Sequence, residues 1–597
     1  MTREGPFVLL DDARPGVERM RLFLEPERII EVFEPADVRA ALGEIGRAVE
    51  AGFYAAGYFS YELGYFLEPK LAPIAPQNRA VPLLWFGLFR EPGTLLGKEP
   101  EKWLAENEQG RAYAGPLRFS EDRESYRTKF ATVQEYIRAG DVYQINLTFP
   151  AMFSFLGDPL ALYARMRPRS SAGHGAYIFD GTRDILSFSP ELFFSIEKGT
   201  VTAQPMKGTA PRGADAATDC ELRTGLAMSE KDRAENLMIV DLIRNDFGRL
   251  AEIGSVRTEG LFSVETYPTV HQMISTVKAD FRPGVSVEAL LGGVFPCGSV
   301  TGAPKIRAME IIRELEPEPR GIYCGAIGCF APDGTATFNV SIRTLTITGN
   351  EGVLGIGSGV VADSRAEDEY DECLLKAQYY SENRQAIGLI ESMRFEPGEG
   401  ILLRAYHLAR LRSSAEALGI SFDEIATTRA MDEAVAGETS PQRVRLTLSE
   451  DGVFDVSKTA LQATAGEHVW TFVVSEHRLR GGDRLARHKT NWRLLYDSER
   501  ASANASGIDE VLYLNDREEL VEGSAANVFL RLGGKLRTPP LSVGALDGCL
   551  RRSLLAKGEC EEANLTLSDL NRADEIYFGN SVRGLVRAEA AANHSAG

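Results

Sequence analysis

The chain has 597 residues, 44% hydrophobic and 25% charged, with 85 acidic against 66 basic side chains and a net charge of −19. That balance excludes a disordered chain, a collagen-like repeat and a disulfide-stapled miniprotein. At about 150 residues per domain it predicts roughly three to five folding units. A negative overall field repels phosphate backbones and anionic lipid heads, so neither nucleic acid nor a membrane surface is an expected partner. Any anionic substrate must therefore be caught by a local cationic pocket. The seven cysteines (Cys220, Cys297, Cys324, Cys329, Cys373, Cys549 and Cys560) form no CxxC pair and match no zinc template, as befits a reducing compartment. The N-terminus leads into no signal-type apolar core and no apolar run approaches about 18 residues, so a soluble cytoplasmic protein is expected.

Residues 1–90 alternate short β-like runs, Phe7–Leu10 and Val81–Phe89 among them, with turns. The polar stretch Glu91–Gly115, punctuated with Gly and Pro, reads as a connection. From Ser120 to about Ile390 helices at Tyr126–Ala139, Ser229–Ala251 and Ala366–Ser381 mix with strands near Ile185–Ile196 and Tyr323–Ala331. A second break falls near Ser392–Glu399, where Pro and two Gly interrupt the pattern. The expected class is α+β, divided into a β-rich part at 1–115, a larger mixed domain at 116–388 and a smaller α/β domain at 389–597.

Two of the predicted helices carry carboxylates spaced i, i+3, which share one helix face. They are Asp232 with Glu235 and Glu369 with Glu372. Acidic first turns complement the helix dipole and are commonplace on solvated helix starts. The nearly continuous apolar run 237–243 instead buries the first helix and aims its acids somewhere specific. Hard oxygens from two helices, with positions left open, suit Mg²⁺ holding an anionic substrate. Gly-rich strings surround them: Pro205-Met-Lys-Gly-Thr, Phe295-Pro-Cys-Gly-Ser-Val-Thr-Gly-Ala-Pro-Lys and Gly355-Ile-Gly-Ser-Gly-Val-Val-Ala-Asp-Ser. Such strings make either tight turns or backbone cradles for carboxylates.

Taken in order with Gly140-Asp-Val-Tyr-Gln-Ile-Asn-Leu, Ser189-Pro-Glu-Leu-Phe, Val270-His-Gln-Met-Ile-Ser, Pro319-Arg-Gly-Ile-Tyr-Cys-Gly-Ala-Ile-Gly and Ile342-Arg-Thr, these strings resemble the chorismate-utilising enzymes over residues 1–385. The resemblance is to their aminodeoxychorismate synthase component I branch. It implies large β-sheets flanked by helices, chorismate as substrate, and Mg²⁺ held by Glu235 and Glu372 with Asp232 and Glu369 beside them. It further implies that Tyr323, Arg343, Thr301 and the backbone of Gly357 and Gly359 bind substrate, and that His271 lies near the departing hydroxyl. Lys207 matches the lysine that marks C4 amination. The resemblance implies that its amine attacks ring C2 and expels the C4 hydroxyl, and that ammonia then displaces it. Gln144 stands where water-activating relatives carry lysine, and an amide is no such base. No Cys elbow between glycines and no His-Pro-Glu string accompany these motifs, so ammonia is expected from a separate glutamine amidotransferase subunit or from solution. Leu9-Leu-Asp-Asp-Ala departs from the string that marks tryptophan feedback, so none is expected.

The C-terminal region opens with an amphipathic helix whose apolar stripe is Leu408, Leu411, Ala415 and Leu418, while His407, Arg410 and Ser414 share another face. His488-Lys-Thr-Asn-Trp-Arg, Glu522-Gly-Ser-Ala-Ala-Asn, Leu546-Asp-Gly-Cys-Leu-Arg and Gly579-Asn-Ser-Val-Arg follow. In this order they resemble the fold-type IV pyridoxal-phosphate enzymes, in particular the aminodeoxychorismate lyases. The resemblance implies a Schiff base from Lys489 to pyridoxal 5′-phosphate and Glu522 on the pyridine nitrogen. It also implies Arg410, Asn527 and the turns 523–527 and 548–550 around the phosphate, and a homodimer through this domain. Leu550 departs from the usual hydroxyl residue. The expected activity is conversion of chorismate and ammonia to aminodeoxychorismate and then to 4-aminobenzoate and pyruvate. An amino-acid aminotransferase or a non-catalytic scaffold in the second half remain the alternatives.

Overall fold

The computed structural model describes residues 5–266, 270–461 and 468–591. The chain forms two compact units, one from Met1–Asn107, Pro116–Phe153 and Tyr163–Asn383, the other from Glu108–Gly115, Ser154–Leu162 and Arg384–Gly597.

The first unit is built on two large sheets. One runs in the order Gly302–Ala303, the strand beginning at Gln144, Glu351–Val360, Thr344–Thr348, Asp184–Ser189, His174–Phe179, Phe7–Asp12, Arg19–Leu24 and Gly93–Leu96. The other runs from Met206–Pro211 through Val270–Asp280, Thr200–Gln204, Leu192–Glu197, Ala336–Val340, Ala326–Phe330, Tyr54–Phe59 and Leu84–Phe89 to Arg28–Val32. Strand alternation sends Val8, Phe23, Ile178 and Ile185 from the first sheet and Tyr58, Trp85 and Ile327 from the second into a shared core. Helices cover the second sheet's outer face. Val38–Glu50 buries Val38, Ala41, Leu42, Ile45 and Ala48 at helical spacing, and Glu230–Gly248 buries Ile239, Val240 and Ile243.

Three stretches differ from the sequence reading. Glu91–Gly115 is not a plain connection: it contains the strand Gly93–Leu96, the helix Glu99–Asn107, anchored by buried Pro100 and Leu104, and the strand Ala112–Ala114. The single β segment expected at Ile185–Ile196 is two strands of different sheets, broken at Pro190, which has no N–H for a ladder. The break near Ser392–Glu399 is a hairpin, in which Leu389–Glu396 turns back into Gly400–Ile401 through Gly398 at φ +86°.

In the second unit a four-stranded antiparallel sheet carries the helices Arg404–Leu418 and Glu424–Val435. Its core joins Leu389, Met393, Leu411, Leu418, Val444 and Leu446 with Tyr113 and Leu156. The early segments are tied in by polar bonds too. Arg111 Nε donates to Asp483 at 2.8 Å, the Tyr113 hydroxyl to Glu450 at 2.8 Å and Ser154 Oγ to the Leu418 carbonyl at 2.7 Å. An eight-stranded mixed sheet completes the unit, with Trp470–Leu479 parallel to Glu510–Asn515 through the crossover helix Leu494–Ala505.

Candidate active sites

The strand Glu351–Val360 sets Gly355, Gly357 and Gly359 on one face. A Cβ at Gly355 would lie 2.2 Å from the Tyr323 ring, and one at Gly357 2.6 Å from Thr148 Cγ2. At Gly359 it would lie 3.0 Å from Gln144 Nε2 and 3.1 Å from Lys207 Nζ. Glycine is thus what lets Tyr323, Gln144 and Lys207 approach this backbone. Gln144 is fully buried, yet neither atom of its amide has a hydrogen-bond partner. Glu191 Oε1 is likewise buried and unpartnered, and burial pushes that carboxyl up to about 7 against the pull of Ser299 and Lys207. Unpaired buried polar atoms carry a desolvation cost that a polar ligand removes. The sequence reading did not single out Glu191. Its signal was an acid at the start of an apolar strand, directly after Pro190.

The acids divide into two groups. Ser229 caps the helix Glu230–Gly248 by accepting from the Asp232 N–H at 3.3 Å. Asp232 rests on Gly208, which sits at φ +86° with the aspartate's Cβ 2.9 Å from where a glycine side chain would begin. Burial pushes Glu235 up, Asp232 and Glu369 reinforce that, and Lys207 and Lys231 oppose it. Glu369 is buried; one oxygen accepts from Ser364 Oγ at 2.7 Å and the other has no partner. Glu372 instead lies 2.6 Å from Lys376 Nζ. Partial burial alone would raise its carboxyl, but Lys376, Lys207 and Lys231 bring it below its ordinary value. Lys376 also donates to the Gly357 carbonyl at 3.0 Å. Among the described residues no three of these acids bring ligand oxygens within 4.8 Å of one another, so they do not stand as one preformed cluster. The open oxygen of Glu369 and the acid-crowded Glu235 fit a hard divalent cation; Glu372 would join by releasing Lys376.

The remaining residues are more committed. Thr301 Oγ1 donates to the Cys297 carbonyl at 3.0 Å, which closes the 297–301 loop. Arg343 occupies the turn between Ala336–Val340 and Thr344–Thr348 at φ +50°. Burial pushes the nearby Tyr379 phenol up, opposed by Arg343, and its hydroxyl has no partner. His271 is fully buried with both ring nitrogens engaged, Nδ1 with Thr266 Oγ1 and Nε2 with Asp219, each at 3.0 Å. The Arg212 guanidinium holds that Asp219 well below the usual carboxylate range.

In the second unit a cavity of about 980 Å³ is lined by Lys489, Arg410, Glu522, Asn527, Gly548 and Cys549 among others. Burial, reinforced by Arg410 and opposed by Glu391, lowers Lys489 from 10.5 to about 8. Glu522 is buried and pushed up to about 7 by that burial. It accepts from the Leu546 N–H at 2.9 Å and the Tyr496 hydroxyl at 3.1 Å. Arg410 gives Nε and Nη2 to Glu391 at 2.9 and 2.6 Å and Nη1 to the Asp547 carbonyl at 2.9 Å. Glu391 also meets His407 Nδ1 at 2.6 Å. Burial would raise Glu391, but Arg410 and His407 hold it at about 2. Glu391, His407 and Cys549 form a compact buried group, and within it Glu391 fixes Arg410. A lone acid in the apolar run Leu389-Ile-Glu-Ser-Met, just ahead of the break read near Ser392–Glu399, was its sequence signal.

These features suit pyridoxal phosphate. A deprotonatable lysine and a carboxylate line one cavity, and the helix Cys549–Ala556 begins at Gly548 with no side-chain cap, leaving its first N–H groups for an anion. Asn527 Nδ2 donates to the Leu546 carbonyl at 3.1 Å, and its Oδ1 lies 1.9 Å from where a Gly548 side chain would start, so it braces that turn. The other expected phosphate turn is differently occupied. The N–H groups of Ser524 and Ala525 donate to Glu510 at 2.8 and 3.3 Å, and that of Gly523 to the Ala526 carbonyl at 2.7 Å.

Residues 6–382 match the chorismate binding enzyme family and residues 388–591 the class IV amino-transferase family. The chain is 44% identical over 284 residues to an aminodeoxychorismate synthase of Streptomyces griseus, covering 47% of this chain but only 39% of that protein's length. It is 37% identical over 366 residues to aminodeoxychorismate synthase component 1 of Escherichia coli (strain K12), covering 58% of this chain and 80% of that protein. Anthranilate synthase component I from Streptococcus pneumoniae TIGR4 superposes with a TM-score of 0.51 at 25% identity, covering 64% of this chain and 91% of that one. On the match over residues 6–382, the chain belongs to the chorismate binding enzyme family, and a class IV amino-transferase domain follows.

Proposed function

We propose that the first unit aminates chorismate at C4 and that the second eliminates pyruvate from the product to leave 4-aminobenzoate. The observation that carries the reading is the Lys207 amine lying against Gly359 and beside Gln144, whose buried amide has no partner. Lys207 attacks ring C2, and the bonding electrons shift to expel the C4 hydroxyl, to which Glu191, pushed up to about 7, gives a proton. Ammonia then forms its bond at C4, and the electrons return to release Lys207, so the balance is chorismate plus ammonia to aminodeoxychorismate plus water. Gln144 hydrogen-bonds the substrate through the amide that is otherwise unpaired, and it is no base for water. Tyr323, Arg343 and the Gly357–Gly359 backbone hold the carboxylates. Glu235 and Glu369, with Glu372, would hold Mg²⁺, which when bound draws charge from the ring carboxylate. Ammonia comes from a separate glutamine amidotransferase subunit, in keeping with the component 1 name of the Escherichia coli relative. His271, with both nitrogens engaged, anchors the strand that pairs with the Lys207 strand to Thr266 and Asp219 in this reading.

In the second unit Lys489 holds the cofactor, then as a free amine removes the C4 proton of aminodeoxychorismate. Its lowered value of about 8 leaves a usable fraction of base near neutrality. Pyridoxal phosphate, when bound, supplies an electron sink, and loss of the enolpyruvyl group as pyruvate leaves an aromatic ring. Glu522 would pair with the cofactor's pyridine nitrogen, and Arg410, Asn527 and the helix start at Cys549 would hold its phosphate. The test is to incubate the full chain with chorismate, Mg²⁺ and ammonium and identify the products. The reading expects 4-aminobenzoate and pyruvate in equal amounts from the native chain and accumulated aminodeoxychorismate from Lys489→Ala. Anthranilate, or a keto acid formed from an added amino acid, would sink it.

A further inference from the structure

The cavity of the second unit has an electrostatic peculiarity at its rim. Arg443 and Arg445 alternate with buried Val444 and Leu446 along the strand Gln442–Leu448, so both stand on the face opposite the core. Arg500, from the helix Leu494–Ala505, and Arg583, beside the strand Gly584–Ala590, line the same cavity. Arg443 also pairs in register with Arg394, which is bound to Glu396 at 2.5 Å. Like charges directly opposite one another on a sheet are destabilising. Burial and then Arg445, Arg500 and Arg583 hold the Arg443 guanidinium below its ordinary value. Among the described residues none of Arg443, Arg445, Arg500 and Arg583 has a carboxylate within ion-pair distance. That is unusual in a chain with 85 acids and a net charge of −19, where a neutralising partner was readily available. Four unpaired guanidiniums around one opening break a local rule in the way functional sites do.

A guanidinium pair grips one carboxylate by parallel N–H···O bonds, so four match two carboxylates. We propose that Arg443, Arg445, Arg500 and Arg583 form an entrance site that captures a small dicarboxylate and so selects a dianionic amine over a monocarboxylic amino acid. This rests on, and deepens, the reading of the second unit as acting on aminodeoxychorismate. The phosphate of the cofactor is the other anion that such a cluster suits. Arg410 and the helix start at Cys549 already provide for it beside Lys489, so the rim is left for substrate.

The test uses the full chain loaded with pyridoxal phosphate. Isophthalate and benzoate are titrated at low salt, and binding is read from the visible circular dichroism of the cofactor, which reports on this cavity alone. The native chain should bind isophthalate at least about tenfold more tightly than benzoate, the gain of one further carboxylate contact. In R443Q/R445Q and in R500Q/R583Q that preference should fall to within about threefold, with cofactor affinity and melting temperature unchanged. Equal binding of the two acids by the native chain, or an undiminished preference in both double variants, overturns the proposal. So does a loss of cofactor affinity in place of the preference, since the cluster would then serve the phosphate. If the preference is present and lost as expected while the native chain releases no pyruvate from aminodeoxychorismate, the capture site stands and only the lyase reading falls.

Discussion

The Lys207 amine lies against the backbone of Gly359, so closely that a Cβ there would stand 3.1 Å from Nζ and 3.0 Å from Gln144 Nε2. Both neighbours are the ends of flexible side chains, so the fold can accept a methyl group by moving them. Gly359→Ala should therefore melt within a few degrees of the native chain yet aminate chorismate about tenfold or more slowly, since displacement of a reacting group by an ångström is costly. A melting scan beside a product assay checks both halves. Full activity would show that Lys207 need not stand at this glycine.

Removing the amine itself is more severe. Lys207→Ala should lose aminodeoxychorismate formation by at least about a hundredfold, with residual turnover shifted to anthranilate through direct attack of ammonia at C2. Equal amination by the two proteins, measured by chromatography of the products, would end the covalent role of the lysine.

Glu369 has an oxygen without a partner, whereas Glu372 is engaged by Lys376 at 2.6 Å. Glu369→Gln and Glu235→Gln should each raise the Mg²⁺ concentration for half-maximal amination by about tenfold, in line with loss of one charged ligand. Cofactor capture by Lys489 should be untouched. An unchanged metal dependence would make both acids ordinary buried helix residues.

Lys489 is lowered from 10.5 to about 8, first by burial and then by Arg410. Between those two values the unfolded chain holds a proton that the folded cofactor-free chain has released, so this group adds stability as pH rises from about 8 towards 10.5. The free-amine fraction grows through the same lower limit. The rate at which visible absorbance develops on adding pyridoxal phosphate to cofactor-free protein should climb with an apparent pKa near 8. Lys489→Ala should develop none.

Tyr496 donates to Glu522, whose carboxyl burial has pushed up to about 7. Removing that donor in Tyr496→Phe withdraws support from the ionised form, so the carboxyl rises further and the acid limb of pyruvate release moves to higher pH. Glu522→Gln should slow release by about a hundredfold or more while the fold persists. A Tyr496→Phe pH profile that superposes on the native one would mean that Glu522 is not titrating in this process.

The order of motifs carried most of the architecture, because turn-forming glycines and helix starts are local signals. The helix at Ala366–Ser381 has the bounds its sequence suggested, and the helix expected at Ser229–Ala251 runs over Glu230–Gly248 with Ser229 as its cap. What the sequence hid were contacts made by tertiary geometry. Pro190 passes the chain from one sheet to another, and nothing local says so. Glu391 stands just ahead of the proline and glycines that suggested a break near Ser392–Glu399, and it fixes Arg410 and His407. Lys376 meets Glu372 one turn away on its own helix, but only the fold lays it beside the Gly357 carbonyl. His271 illustrates the converse, since its Nε2 is spent on Asp219, a residue far off in sequence that only the fold brings near.

The second unit takes Tyr113 and Leu156 into the same apolar core as Leu389, Leu411 and Val444, although both belong to segments far upstream of residue 384. This has a consequence for anyone who treats the chain as two interchangeable cassettes. A gene cut once near codon 384 would yield a downstream polypeptide lacking the side chains that fill part of its own interior, and lacking Arg111 for Asp483. Grafting the domain onto another protein would require carrying Glu108–Gly115 and Ser154–Leu162 along with it, or redesigning the hollow they leave.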